Sequence, residues 1–560
     1  MTRSVVDFTD NKSQQSKIEE KPKDLVRGPA TKNIKSKVKI HDRTQLETIF
    51  TYSFDAGSTK ADPCYSVDAY MFFPQQLGIN PITYDRSKFY ADMRALIRFR
   101  EPKLSYVDLM GEVRDDDVFG SPVRLIESSI KALSNPGGPY SSAFAIDEVR
   151  LFGCSYVSYY WRRIKRKHLL LKRAKTPEDI EEAVLEAKRT LDKGRRLLKV
   201  CRELLGKALE VDSDKAKQLQ NELTLVNEYC TYCYRDGLLK ALVGLERHKN
   251  KPECQTMISK VNAQLRLERW YARKAGFFWV SDKSSKLLLE EYMYRRGSLK
   301  RRIWSVLYLN LRPDAFFKLQ QQFGYMVAAG MAAGWALFAT LLIWNYSSFR
   351  GFNVFEALSA TSISLITLSF VLSYVLKDRI KELGRSKFER GIFKKRPDIA
   401  SNIYFSDTYD HQVKLGILSE TVSFLKRDQL PNDVQALRLA HTGFDVDLNE
   451  QSTEVLKYSK QTVLHRSAMK KLHYPVQSLD DIIRLNIESF LSRLDAPLHL
   501  GLVADHDHGG LEVMMPKVYY VDLILKYRLD QINKKERAVS HEYFRLVLDK
   551  RGLSRIEQIK

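Results

Sequence analysis

The sequence predicts a mixed membrane protein. It combines a two-helix transmembrane hairpin, an N-terminal α+β region leading into a cytosolic helical bundle with a coiled-coil-like hairpin, and a C-terminal α+β domain with an antiparallel sheet. Three observations predict it. Residues 323–344 and 357–376 each run without a charged side chain. Residues 180–208 and 216–233 place apolar residues at alternating steps of four and three, and residues 518–527 and 541–548 alternate as half-buried strands do.

Taken in order, residues 1–43 are polar and Lys-rich with few large apolar side chains, the composition of a disordered basic tail. Residues 44–139 are expected to form a small α+β domain. Its strands are the β-prone runs 48–54 and 65–73, and it closes at Ser134-Asn-Pro-Gly-Gly-Pro139, a strong loop signal.

Residues 140–318 are expected to be a helical bundle. A first helix from Ser141 to about Lys175 carries Tyr156, Tyr159, Tyr160 and Trp161, followed by Arg162, Arg163, Lys165, Arg166 and Lys167. Thr176 followed by Pro177, Glu178 and Asp179 is a helix start, with an N-cap, a Pro in the first turn and carboxylates at the positive end of the dipole. The heptad-like stepping beyond it breaks at Val211-Asp-Ser-Asp214 and resumes, which predicts an antiparallel αα-hairpin with Leu191 facing Cys230. Further helix is expected from about Thr256 to Leu309.

At ~1.5 Å rise per residue, the run 323–344 matches a hydrocarbon core of ~30 Å, and 357–376 returns across it. The connecting loop, 345–356, carries only Arg350 as a cation. Arg295, Arg296, Lys300, Arg301, Arg302, Arg312 and Lys318 precede the first span, and residues 377–396, expected as a basic juxtamembrane helix, follow the second. Lys and Arg are retained on the cytoplasmic side during insertion, so the expectation is a multi-pass protein of the plasma or inner membrane with both termini cytoplasmic. The first residues lack the apolar core of a secretory signal, in keeping with cytosolic flanks. In the C-terminal domain, 397–560, Ser478-Leu-Asp-Asp481 is expected to cap a helix ending at Asp495-Ala-Pro497, ahead of the two strands and a turn at Asp549–Gly552.

Lys plus Arg number 91 against 68 Asp plus Glu, a formal net charge of +23. The densest basic segments border the spans, so the anionic cytoplasmic leaflet is the favoured partner, ahead of nucleic acid. Six cysteines, at 64, 154, 201, 230, 233 and 254, all fall in the cytosolic flank and are expected as free thiols.

Several strings bear on chemistry. Asp505, His506, Asp507 and His508 are the most ligand-dense run, able to hold a divalent metal if His465, His473 or His499 joins them. A solvated loop before Gly509 and Gly510 is the plainer reading. Cys230 and Cys233, with His248 and Cys254 downstream, have the spacing of a zinc or redox pair, yet the heptad assigns both to the buried seam. Asp115 to Asp117 read as an exposed acidic loop, and Pro136-Gly-Gly-Pro139 as a turn without the Lys and Ser/Thr of a P-loop. The basic aromatic helix has its aromatics before its cations, unlike the interleaving of nucleic-acid binders.

No G-x-S-x-G, H-E-x-x-H or Rossmann fingerprint occurs at a suitable junction. The spans contain no charge of the kind that transporters and proton pumps place in theirs. They do offer Gly330 and Gly334, Ala328, Ala332 and Ala336, and Ser359, Ser362, Ser369 and Ser373 for close helix contact, within the hairpin or between copies. The functional expectation is a membrane-anchored scaffold, adaptor or sensor without a catalytic centre or bound cofactor. The alternatives are a membrane-tethered metal-dependent hydrolase built on Asp505 to His508, and a membrane-anchored nucleic-acid binder.

Overall fold

The computed structural model describes residues 34–53, 62–112, 121–134, 142–349, 367–368, 371–383, 397–405, 413–441, 454–469, 472, 476–505, 509–531 and 538–559. Within them helices and antiparallel sheets form the α+β layout that the sequence predicts.

The smaller sheet has four strands in the order β1 (Ile34–Asp42), β2 (Gln45–Ser53), β9 (Ser478–Asn486), β4 (Met93–Phe99). The larger has eight: β14 (Gly552–Ile559), β13 (Ala538–Asp549), β12 (Tyr519–Gln531), β3 (Pro63–Phe73), β8 (Glu454–Leu464), β7 (Val413–Leu425), β6 (Ile399–Phe405), β5 (Asn310–Pro313). β10 (Leu498–Asp505) and β11 (Gly509–Pro516) pair separately as a hairpin.

Strand side chains alternate between faces, so Val67, Ala69, Met71 and Phe73 of β3 join Leu46, Phe50 and Tyr52 of β2 in one core between the sheets. Tyr70 and Phe72 take the other face, where they pack with Ile524, Tyr543 and Val434 of a helix at Asn432–His441.

Three sequence expectations change here. Residues 44–139 and 397–560 are not separate domains, because β3 lies between β8 and β12, and β9 lies between β2 and β4. Pairing between strands some 390 residues apart leaves no local trace in sequence, since each strand shows only its own alternation. The expected tail 1–43 ends in β1, whose Ile34, Val38 and Ile40 alternate with Lys35, Lys37 and Lys39. An edge strand bearing Lys on its open side has the composition of a tail. Ser478 to Asp481 begin β9 and not a helix. Both carboxylates are met by partners from other strands, which a capping pattern read locally cannot anticipate.

The helical segment follows the expected order: α4 (Ser142–Arg173), α5 (Pro177–Leu209), α6 (Asp214–Glu246), α7 (Pro252–Lys274) and α8 (Lys286–Trp304), with α1 (Arg86–Asp92), α2 (Tyr106–Met110) and α3 (Pro122–Ser134) before them. Thr176 caps α5 through a capping box with Asp179, as its sequence indicates. The α5–α6 register differs from expectation. Arg202 donates to Thr231 at 3.3 Å, so in this antiparallel pair Cys230 stands near Cys201, and Leu191 falls beyond it near Ala241 and Leu242. The apolar stepping fixes which face each helix buries and not how far one slides along the other. Tyr160 of α4 fills the notch at Gly194 and Gly237, where a Cβ on either helix would strike its ring.

From β5 the chain enters α9 (Ala315–Phe349). The expected second span is helical at 367–368 and 371–376, the latter continuing to residue 383 as α10; the rest of it and most of the expected loop 345–356 lie outside the described residues.

Candidate membrane interface

The β5–β6 pair sets the root of α9. Pro313 stands opposite Ser401, Asp314 N–H donates to the Ala400 carbonyl at 2.9 Å, and α9 begins at the next residue. Among the described residues this is the one helix long and apolar enough to cross a membrane. Its stretch Tyr325–Leu342 is only 11% buried, unlike a core helix of the same composition. One stripe is covered, with Ala328 and Ala332 buried. Gly330 and Gly334 face open space. α10 exposes Val371, Leu372, Tyr374 and Val375, and its exposed Arg379 pairs with Glu382.

β5, β6, β7, β8, β3 and β12 end on the edge of the sheet that carries the α9 root. Pro313 is level with Ser401, Leu418, Thr462, Tyr65 and Leu529 across the ladder, while β12 begins well beyond Leu529 at Tyr519. The strand ends on this side therefore step progressively along the ladder from β5 to β12. On the outer face near this rim an open cleft of about 640 Å³ places Lys426, Arg427 and Arg438 over Phe72 and Leu430.

The candidate metal string does not assemble a site among the described residues. Asp505 ends β10 opposite Gly509, and His506, Asp507 and His508 lie outside the described residues, as does His473. His465 follows the far end of β8 and meets Asp62 at 3.1 Å, while β12, which continues from the hairpin, starts at the opposite rim. His499 sits in β10 opposite Met515. No three His, Cys, Asp or Glu come together among the described residues. Asp115 to Asp117 and Pro136 to Pro139 also lie outside them.

Cys230 and Cys233 are buried free thiols. Burial pushes both thiols up, that of Cys233 to about 12, which disfavours the thiolate needed for metal or redox chemistry. His248 is turned away to Leu171, with its Nε2 at 2.8 Å from the carbonyl oxygen.

The basic helix is largely occupied with its own neighbours. Arg162 pairs with Glu101, Lys167 with Glu186, Arg163 lies over Tyr159, and Lys165 over Trp161. The bundle is further tied by buried carboxylates of α6. Glu222 accepts from Arg150 and Arg302, Glu228 from Arg295, and Asp236 pairs with Arg235 and Arg296. Burial pushes the Glu222 carboxyl up, but hydrogen bonds from Arg302 and Arg150 outweigh it and hold it below its ordinary value.

Sequence reasoning missed the charge network between the two sheets. Lys460 of β8 is fully buried, 2.6 Å from Asp481 of β9 and 3.5 Å from Glu420 of β7; Tyr458 donates to Glu420 at 2.7 Å and Tyr52 to Asp481 at 3.4 Å. Burial raises the Asp481 carboxyl despite the opposing Lys460. An apolar gap of about 40 Å³ adjoins the network at Tyr458, and the network ties β9 of the smaller sheet to β7 and β8 of the larger. The signal available in sequence was Lys460 at an inward position of an alternating strand.

No family model, curated protein or solved structure matches the chain.

Proposed function

We propose that this chain is a two-span membrane protein, of the plasma or inner membrane, whose flanks form one cytosolic body acting as a scaffold, adaptor or sensor. The observation that carries this reading is the direct pairing of β5 with β6. These strands bracket α9, and strands from before and after it interleave in both sheets. A chain crossing the bilayer once would leave β5 and β6 on opposite sides, where they cannot hydrogen-bond. Once α9 spans, an even number of crossings is required, and the apolar segment 357–376 supplies the return. The basic flanks support a cytosolic position for that body. Gly330 and Gly334, on a face left open while Ala328 and Ala332 are covered, suit close contact with a second copy.

Extraction and labelling test the reading. The protein should stay with membranes in alkaline carbonate. A cysteine at Arg350 should react with an impermeant reagent added outside intact cells, and one at exposed Lys249 only after permeabilisation. Release into the supernatant, or equal reaction of both positions in intact cells, would overturn it.

A further inference from the structure

The hairpin β10–β11 has no partner strand beyond itself among the described residues, and both of its faces are open and mostly apolar, Glu512 standing opposite Leu502 on one and His499 opposite Met515 on the other. The register places Leu500, Leu502 and Met514 on one face and Val503, Leu511 and Val513 on the other. Leu502 is 76% exposed, Leu500 53% and Leu511 52%. An isolated two-stranded hairpin is marginal in water, and one with two greasy faces is an aggregation hazard unless something covers it.

The occupant is argued from position. The hairpin closes where Lys517 N–H donates to the Pro497 carbonyl at 2.9 Å, and β12 starts at Tyr519. That start lies toward the side of the sheet from which α9 departs at Ala315, five strands across from β5 and ten residues beyond Leu529, which is level with Pro313, so two exposed apolar elements leave the sheet toward the same side. A second copy adding a strand would cover one edge and leave the two faces in water; the headgroup and acyl boundary of a bilayer covers both.

We propose that β10–β11 is a membrane-immersed hairpin, lodged in the lipid interface on the side of the sheet from which α9 departs and fixing how the cytosolic body sits on the bilayer. The proposal rests on the reading of α9 as a span. Depth is limited by chemistry. Among the described residues the outer edges of both strands carry backbone N–H and C=O groups without ladder partners, which hydrocarbon would penalise by several kcal/mol each. The hairpin therefore lies shallow, with its edges hydrated and its side chains among the upper acyl segments.

The test uses the full chain in phosphatidylcholine and phosphatidylglycerol vesicles. Single cysteines are introduced as Leu502→Cys, Leu511→Cys and, on α9, Leu337→Cys, each carrying an environment-sensitive fluorophore; the six native thiols are buried, so the label goes to the exposed position. All three labels should emit as in an apolar medium. Shallow spin-labelled lipids should quench the two hairpin positions more than deep ones do. If Leu337→Cys is quenched while both hairpin labels emit as in water, the hairpin proposal fails and the span reading stands. If the hairpin labels are dry but no lipid quenches them, protein covers the hairpin, and the proposal fails in favour of a second copy. If Leu337→Cys itself escapes quenching, the span reading fails and the proposal with it.

Discussion

Single residues carry the interior electrostatics of this protein. Lys460 is the cation of a buried triad whose two carboxylates come from different sheets, so removing it leaves Glu420 and Asp481 facing each other without compensation. Lys460→Met is expected to destabilise the fold by about 3–5 kcal/mol in chemical denaturation, and adding Glu420→Gln and Asp481→Asn should restore much of the loss. A triple variant no more stable than the single one would show that the network is not a charge clamp.

Glu148 of α4 behaves in the opposite sense. It is 4% exposed, and burial, assisted by neighbouring Asp147, pushes its carboxyl up to about 8. A carboxyl whose folded pKa is raised contributes its stability in the protonated form, below its ordinary range, and that contribution is lost as pH rises from the model-compound value of 4.5 through about 8. The melting temperature should therefore fall across this window, and Glu148→Gln should flatten the fall. An unchanged slope in the variant would assign the pH dependence to other groups.

At the scale of elements, legibility followed how local the determinants are. Helix α5 was readable to its first residue, because Thr176, Pro177 and Asp179 act within one turn and the apolar stripe repeats within the helix. β12 and β13 are legible in outline because residues 518–527 and 541–548 alternate in sequence, and β3 because residues 65–73 are β-prone. Strand β1 was taken for tail because Lys on an edge strand and Lys in a solvated segment look alike. The helix expected at Ser478 failed because Ser and Asp serve equally as caps and as strand residues with distant partners. The candidate metal string stayed open for a related reason. Its density in sequence says nothing about convergence, and His465 proves to be on the far rim, bonded to Asp62.

At the scale of the molecule, the apolar segment is an insertion between two paired strands. Pro313 and Ser401 stand opposite each other, so a short linker can join β5 to β6. Replacing residues 315–397 by a flexible Gly/Ser linker of about six residues is expected to give a protein that folds cooperatively without detergent, with the circular dichroism of the two sheets and the helical bundle retained. Gel filtration and thermal melting check it. A fragment limited to 397–560 should not fold, because β3 fills the space between β12 and β8. A monomeric, cooperatively melting 397–560 fragment would contradict the shared sheet.

The sequence by itself determined the apolar stretch of α9, the charge asymmetry around it, the caps and stripes of the helical bundle, and the burial of the cysteine seam. Each follows from residues close together in the chain, whose periodicity and composition are set by water, lipid and backbone geometry. Only the tertiary structure decided that strands from both sides of α9 share two sheets, that Lys460 neutralises carboxylates from β7 and β9, and that the exposed β10–β11 hairpin leaves the sheet toward the side from which α9 departs. Those facts depend on which strand finds which, a choice made by packing hundreds of residues apart, where no local pattern records the outcome.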